Sequence, residues 1–383
     1  MKKVLVINTK YQNYGGEDSN IVEEIKFLKK FYKVDYLNFD NSEKLKMADI
    51  FAFFSLSNFE TNKVLKLKLK SFQPDIVYIH NTWFKANLGI FNILKKHDVE
   101  IILKIHNFRF ACTGTFSAAV HFNKKEVCYR CGKRKSKLNF FNKYFKNSYI
   151  KSLFINIYGK KYIKIIRQHS LKIVVLNNFY KDHLLRMKID KDKVFINYNP
   201  FEINKNYNYS PESEYVVYAG SLVEEKGLEE LLESWKKSKV NLKLLIIGSG
   251  ELDKELTKKY TSQKIEFLGF LENKKALEVI KKSRAVITAT KMFEGQPRLI
   301  SEASAFGIPS IYPSFGGLDE YFPEDYKFSF EQFNYSDLIK KIELLQNKIL
   351  LKEESKRIHN YIIENMSLNN VKRNFESILN SYE

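Results

Sequence analysis

Residues 285–312 read AVITATKMFEGQPRLISEASAFGIPSIY, and this stretch contains the pattern that recurs along the chain. An apolar run at residues 285–289 predicts a buried strand, and a second strand is predicted at residues 310–312. Between them, Gly295 and Pro297 mark the start of a helix. A strand, a helix and another strand in this order form the repeating unit of a parallel sheet that is covered by helices.

Two glutamates lie in this stretch with seven residues between them. Glu294 is expected in the loop, and Glu302 is expected one and a half to two turns inside the helix. A carboxylate at that position can accept two hydrogen bonds from a ribose, while the helix N-terminus faces the phosphates. The spacing alone is also compatible with two ordinary exposed charges.

The same alternation continues in both halves of the chain. Strands are predicted at residues 4–7, 75–79, 100–105 and 172–176, and again at 215–219, 242–247 and 265–268, with helices such as 20–31 and 227–237 between them. The pattern breaks between Asn199 and Pro211, which places a linker there. We therefore expect two doubly wound α/β domains, at residues 1–200 and 201–366.

The last segment, residues 367–383, is predicted to be a helix with one apolar face. Val371, Phe375, Ile378 and Leu379 recur at helical spacing, so this face must pack against a core.

Two glycine-containing turns follow strands of the second half. The turn AGSLVEEKG holds Ser221 and Lys226 at the start of a helix, which suits a diphosphate, and the turn IGSGEL holds Gly248 and Gly250. A purely structural turn is the alternative at both places.

The string Glu294–Gly295–Gln296–Pro297, with Glu302 further on, resembles the E-x7-E signature of retaining glycosyltransferase family 4, which has the GT-B fold. Other marks of that family occur in order along the chain: Gly15–Gly16, His106, Asn199–Pro200, Ser221, Lys226, the IGSGEL turn, Leu268 to Phe270, Ala303, Gly307, Pro309 and Gly316–Gly317. The resemblance implies two Rossmann-like domains that face a cleft, with the C-terminal helix crossing back to the first domain.

The resemblance also assigns roles to individual residues. His106, Glu294 and Lys226 would be the catalytic residues: His106 and Glu294 would contact the transferred sugar, and Lys226 the donor diphosphate. Glu302 would hold the ribose. The remaining donor-binding positions would be Gly16, Ser221, Gly248, Gly250, Gly295, Pro297, Arg298 and Leu299.

Two positions depart from the family pattern. Ser221 occupies a place where arginine is usual, and Arg298 occupies one where a small or apolar residue is usual. Arg298 either supplies the missing positive charge at the phosphates or points to solvent.

Three cysteines, Cys112, Cys128 and Cys131, lie in an insert at residues 108–150. A similar insert in some family 4 enzymes contains a fourth cysteine, and Tyr144 stands at that position here. A zinc site would therefore need His121 as its fourth ligand, and a surface loop with unpaired cysteines is the alternative.

The charge is concentrated in one half of the chain. Residues 1–200 carry 38 Lys+Arg against 16 Asp+Glu, whereas residues 201–383 carry 26 against 28. In the insert, lysines alternate with aromatic residues, which suits an anionic membrane surface, although a solvated helix has the same composition.

No stretch reaches the roughly 18 to 20 apolar residues of a membrane span, and no signal peptide is recognised. We therefore expect a cytoplasmic protein that is peripheral on the inner face of the membrane.

These features predict a retaining glycosyltransferase that moves a sugar from a UDP- or GDP-sugar to a glycan or polyprenyl-diphosphate-linked acceptor in lipopolysaccharide O-antigen, capsule or exopolysaccharide synthesis. No divalent metal is expected in catalysis, because the one D-x-D match, at residues 190–192, reads as an exposed turn. The alternatives are a GT-B-fold sugar-nucleotide epimerase and, more distantly, a basic nucleic-acid-binding protein. No nucleic-acid partner is expected under the leading hypothesis.

Overall fold

The computed structural model describes residues 1–10, 16–41, 52, 55, 57–107, 148–203 and 207–381. The predictions for Gly15, for the insert, and for a zinc site at Cys112, His121, Cys128 and Cys131 lie outside the described residues. Those predictions are therefore carried by the sequence alone.

Twelve strands occur in the described residues, and all of their pairings are parallel. They are β1 (Lys3–Lys10), β2 (Lys33–Asp40), β3 (Ile76–Ile79), β4 (Glu100–Lys104), β5 (Lys172–Val175), β6 (Val194–Ile196), β7 (Tyr215–Ala219), β8 (Lys243–Ile247), β9 (Ile265–Gly269), β10 (Ala285–Ile287), β11 (Ser310–Ser314) and β12 (Ser329–Glu331).

Helices alternate with these strands, as a parallel sheet requires. They are α1 (Gly16–Leu28), α2 (Phe59–Phe72), α3 (Gly89–Lys96), α4 (Tyr149–Gln168), α5 (Asn178–Arg186), α6 (Leu228–Lys237), α7 (Asp253–Tyr260), α8 (Asn273–Lys281), α9 (Arg298–Ala305), α10 (Tyr335–Glu343), α11 (Lys348–Met366) and α12 (Leu368–Asn380).

The described residues fall into two compact units. Those of Met1–Gly114, Ile150–Pro200 and Asn369–Glu383 form the first unit, and those of Phe201–Leu368 form the body of the second. The first sheet has the strand order β2-β1-β3-β4-β5-β6, and the second has the order β12-β11-β10-β7-β8-β9. The prediction of two doubly wound α/β domains is confirmed.

The central strands are buried on both faces, which explains why their sequences are continuous apolar runs. All four residues of β3 are buried, and so are the six residues from Val4 to Thr9 of β1. In a doubly wound sheet, the strand order reverses at one place, and ligands bind beyond the carboxyl ends of the strands that flank it. That place lies between β1 and β3 in the first sheet and between β7 and β10 in the second.

Helix α12 packs on the first unit, as its apolar face predicted. Val371, Phe375, Ile378 and Leu379 are buried. The ring of Phe375 lies 5.6 Å from that of Tyr32 and 5.4 Å from that of Tyr78, between ring centroids.

Several predicted boundaries were wrong. Helix α1 begins at Gly16 rather than near residue 20, and α9 begins at Arg298, so Glu302 lies little more than one turn inside it. Strands β2 and β12 were not predicted. Both are edge strands, and in β2 only Leu37 is buried, so its sequence contains no continuous apolar run.

Candidate donor-binding site in the second unit

Lys226 and Glu294 meet beyond the carboxyl ends of β7 and β10. The Lys226 Nζ atom lies 2.5 Å from Glu294 Oε1, and the Thr290 hydroxyl donates to the same oxygen over 2.9 Å. The two charged side chains are 30% and 17% exposed. The strand-order reversal of the second sheet therefore carries a positive and a negative group that water, or a ligand, can reach.

A close backbone approach brings these two residues together. Glu224–Lys226 form a short 3-10 turn after β7, and Gly227, which follows, has φ +64°. A Cβ atom on Gly227 would lie 2.0 Å from the carbonyl oxygen of Ala289, just past β10. Only glycine permits this contact, which sets the loop of Lys226 against the loop of Glu294.

Further hydrogen bonds fix the loop that carries Glu294. The Lys291 amide donates to the Glu225 carbonyl over 2.9 Å, and Gln332 Nε2 donates to the Thr290 carbonyl over 2.8 Å. The Tyr321 hydroxyl donates to the carbonyl of Gly295 over 2.6 Å. Gly295 is therefore a buried structural element of the loop, whatever else it contacts.

Glu302 has a partner on its own helix. Arg298 Nε donates to Glu302 Oε1 over 2.8 Å, and an Nη atom of Arg298 lies 2.6 Å from the same oxygen. The two side chains are 23% and 14% exposed. Arg298 thus engages the carboxylate that is predicted to hold the ribose.

Helices α6 and α9 both begin beside these side chains. Neither helix has a side chain that caps its N-terminus: Gly227 precedes α6 and Pro297 precedes α9. The first backbone N–H groups of a helix have no partner within the helix, and their partial positive charge favours an anion. Leu299, also predicted at this site, is half-buried in the first turn of α9.

The turns after β7 and β8 are joined to each other. The Leu222 amide donates to the Ser249 carbonyl over 3.0 Å, and a Cβ on Gly248 would lie 1.9 Å from the Gly220 carbonyl oxygen. A Cβ on Gly250 would lie 2.3 Å from the carbonyl oxygen of Leu222. The packing of the two turns therefore already requires glycine at both positions.

Ser221 is exposed in the turn after β7. Its carbonyl accepts a hydrogen bond from the Tyr218 hydroxyl over 3.2 Å. Burial, together with the nearby charge of Glu294, raises the pKa of Tyr218, so this hydroxyl remains a donor at neutral pH.

In the first unit, His106 follows β4 and contacts His80, which follows β3. His106 Nε2 lies 2.8 Å from His80 Nδ1. Gly16, the other residue predicted there, is the first residue of α1.

The D-x-D match at residues 190–192 lies in an exposed turn, as expected. Its last two residues belong to a 3-10 turn that precedes β6.

The sequence analysis missed Thr290 and Gln332 in the second unit and Glu24, Tyr78, His80 and Lys104 in the first. The sequence contained one signal for the cluster in the first unit, because Lys104 ends a run of buried apolar residues. A lysine in such a run must have a buried acidic partner.

Comparisons with known proteins identify a matching family and several relatives. Residues 191–364 match the family model described as glycosyl transferases group 1. The amylovoran biosynthesis glycosyltransferase AmsD of Erwinia amylovora is 29% identical over 148 residues, which are 37% of this chain and 42% of that relative. Protein CapJ of Staphylococcus aureus is 27% identical over 183 residues, 44% of each chain. The chain thus covers less than half the length of these two relatives.

A solved structure extends the likeness to the whole fold. HepE from Anabaena, in complex with UDP-glucose, superposes with a TM-score of 0.69 over 100% of both chains at 14% identity. At that identity the likeness concerns the fold alone, and it confirms the GT-B architecture.

Proposed function

We propose that this chain, which carries a glycosyltransferase group 1 domain, transfers a sugar from a nucleoside diphosphate sugar to a glycan or lipid-linked acceptor with retention of configuration, as a member of family 4. The observation that carries the proposal is the meeting of Lys226 and Glu294 at the strand-order reversal of the second sheet. Glu302 lies on the helix that follows the same loop.

The chemistry of such a transfer suits these groups. Departure of the nucleoside diphosphate places negative charge on the leaving phosphate and positive charge on the sugar. Lys226 and the N–H groups at the start of α6 would stabilise the phosphate, and Glu294 would face the sugar. Glu302 would release Arg298 and would then accept hydrogen bonds from the hydroxyls of the ribose.

Two of the named relatives narrow the substrates that we propose. HepE was solved with UDP-glucose, which supports a UDP-sugar as the first donor to test, ahead of a GDP-sugar. AmsD is described as acting in the biosynthesis of amylovoran, which supports a place in surface polysaccharide assembly, as with O-antigen, capsule or exopolysaccharide. The epimerase alternative is not favoured, because the family model and AmsD both describe glycosyl transfer.

We also propose that the first unit contacts an anionic membrane through one face of α2. Phe59, Lys63, Lys66, Leu67 and Lys70 of α2 are all exposed and fall within an arc of about 100° on the helix. We call this set the α2 face. Apolar side chains among lysines can enter the headgroup region while the cations meet lipid phosphates. Among the described residues, no helix has the length and apolar composition needed to cross a bilayer.

A transfer assay tests the activity. The full chain is incubated with a panel of UDP- and GDP-sugars and a polyprenyl-diphosphate-linked acceptor, and the product is analysed by mass spectrometry and by NMR of the new anomeric centre. We expect transfer with retention, and a strong loss in Lys226→Met but not in the surface control Lys243→Met. Epimerised nucleotide sugar, or salt-sensitive oligonucleotide binding with no donor binding, would overturn the proposal.

Two further assays test the metal and membrane proposals. We propose a metal-independent reaction, so activity should persist in a chelator, and complete loss of activity there would contradict it.

The protein should sediment with vesicles of anionic lipid more than with neutral ones, and Leu67→Glu on the α2 face should weaken this sedimentation. Equal sedimentation of wild type and Leu67→Glu would exclude the α2 face as the contact.

A further inference from the structure

Five side chains of the first unit form a buried polar cluster that the proposed chemistry does not yet use. Lys104 Nζ lies 2.7 Å and 3.0 Å from the two carboxylate oxygens of Glu24, and the Tyr78 hydroxyl donates to Glu24 over 2.7 Å. His80 and His106 are joined by the 2.8 Å contact between Nδ1 and Nε2. His80 is buried, whereas His106 is partly exposed.

The cluster does not have the geometry of a tetrahedral zinc site, although Glu24, His80 and His106 bring possible ligand atoms together. Two imidazole nitrogens on one tetrahedral zinc ion would be about 3.3 Å apart or more, given bonds of about 2.0 Å. Here they are 2.8 Å apart, which is a hydrogen-bond distance. Lys104 also occupies both oxygens of Glu24.

The contact between the histidines therefore contains one shared proton. Burial holds the pKa of both imidazoles well below 6.5, with the charge of Lys104 acting in the same direction, so both rings are neutral at pH 7. A neutral ring has one N–H donor and one acceptor nitrogen. One of the facing nitrogens must then donate and the other must accept.

The position of Glu24 favours one of the two nitrogens as the donor. Glu24 Oε2 lies 4.0 Å from His80 Nδ1. A carboxylate at this distance favours the tautomer with its proton on His80 Nδ1, because the N–H dipole then points toward negative charge. His106 Nε2 accepts in that case, and the proton of His106 is on Nδ1.

We propose that His80 is a positioning residue, which fixes His106 in the tautomer with its proton on Nδ1, so that His106 offers an N–H donor to a sugar oxygen of the substrate. The inference rests on the proposed function and on the family resemblance, which implies that His106 contacts the transferred sugar. In the part of the chain that the structure describes, His106 Nδ1 and His80 Nε2 are both buried nitrogens without a hydrogen-bond partner within the protein. His106 then acts as a fixed donor and not as a general base.

The tautomer can be measured without any activity assay. The full chain is labelled with ¹⁵N at its seven histidines, and long-range ¹H–¹⁵N spectra distinguish protonated from bare ring nitrogens. The signals of His106 are assigned by comparison with His106→Gln. We expect His106 to be protonated on Nδ1 and bare on Nε2. A His106 ring protonated on Nε2 in the wild type would overturn the proposal.

Two variants of His80 test the consequence for transfer. His80→Phe keeps a ring but removes the donor, and kcat should fall about 10- to 100-fold at unchanged donor affinity. In His80→Asn the amide nitrogen is as many bonds from the backbone as Nδ1, so kcat should return to within about threefold of wild type. A His80→Asn enzyme as slow as His80→Phe would contradict the positioning role. If no sugar transfer is found at all, the proposed function fails, while the NMR result still decides the tautomer.

Discussion

The Lys226–Glu294 pair of the second unit and the Lys104–Glu24 pair of the first have similar chemistry in opposite surroundings. In the second unit, the side chain of Lys226 is 30% exposed and that of Glu294 is 17% exposed. In the first unit, the corresponding values are 0% for Lys104 and 3% for Glu24. A partly exposed pair can exchange its partner for a ligand, because water compensates the charges during the exchange. A buried pair cannot, since each charge without its partner would stay in a medium of low polarity. We infer that the first pair binds ligand and the second holds the structure around the histidines.

The largest effect is expected from breaking the buried pair. Glu24→Gln leaves the Lys104 ammonium buried without an anion, which should reduce the free energy of unfolding by about 3–5 kcal/mol. Of the two tryptophans, Trp83 lies in the first unit and Trp235 in the second, so urea unfolding followed by Trp83 fluorescence in a Trp235→Phe background reports on the first.

Asp35→Asn is the matched control for this change. Asp35 pairs with Lys68 in the same unit, but the two side chains are 36% and 30% exposed, so its loss should cost less than about 1 kcal/mol. Equal losses in Glu24→Gln and Asp35→Asn would remove the distinction between buried and exposed pairs.

A partly exposed carboxylate should affect the reaction and not the fold. Glu294→Gln should reduce the transfer rate about 100-fold, because the charge that faces the sugar is lost. Unfolding of the second unit, followed by Trp235 fluorescence in a Trp83→Phe background, should change by less than about 1 kcal/mol. Glu266→Gln, in the exposed pair with Lys243, should leave both quantities unchanged. An unimpaired rate in Glu294→Gln would contradict the proposed site.

His80 and His106 predict that acid destabilises the first unit. Their pKa values lie well below 6.5 in the folded protein, because of burial, and near 6.5 in the unfolded chain. The stabilisation is therefore complete above about pH 6.5 and is lost as the pH falls, by up to about 1.4 kcal/mol per pH unit for each histidine. Glu24, Lys104 and Tyr78 face the same cluster.

Urea unfolding with the Trp83 probe at pH 7, 6 and 5 measures this slope. His80→Asn removes one of these histidines and should reduce the slope by up to about 1.4 kcal/mol per pH unit. The same slope in wild type and His80→Asn would show that His80 is not held neutral in the folded protein.

A smaller effect is expected at Glu302. Glu302→Ala should weaken binding of the nucleoside diphosphate about tenfold, because the hydroxyls of the ribose lose their acceptor. Its ion pair with Arg298 is a partly exposed pair within one helix, so unfolding should change by less than about 1 kcal/mol. Unchanged affinity in a direct titration would argue against the ribose role of Glu302.

The sequence predicted the central strands better than it predicted which charged side chains pair with each other. Strands such as β1 and β3 are buried on both faces, and their apolar runs identify them, whereas the edge strand β2 keeps polar residues throughout. Glu294 and Glu302 were recognised because they share one local stretch. Their partners were not, since Lys226 is 68 residues from Glu294 and Lys104 is 80 residues from Glu24. Such pairings depend on tertiary packing that local patterns do not encode.

Titration calorimetry with UDP and GDP tests the central claim most directly. It compares wild type, Lys226→Met and Lys243→Met, since Lys243 belongs to an exposed pair of the second unit away from the site. We predict that one of the two nucleotides binds the wild type, that Lys226→Met weakens this binding about 10- to 100-fold, and that Lys243→Met does not change it. Equal affinity in wild type and Lys226→Met would contradict the assignment of the donor site to the Lys226–Glu294 pair.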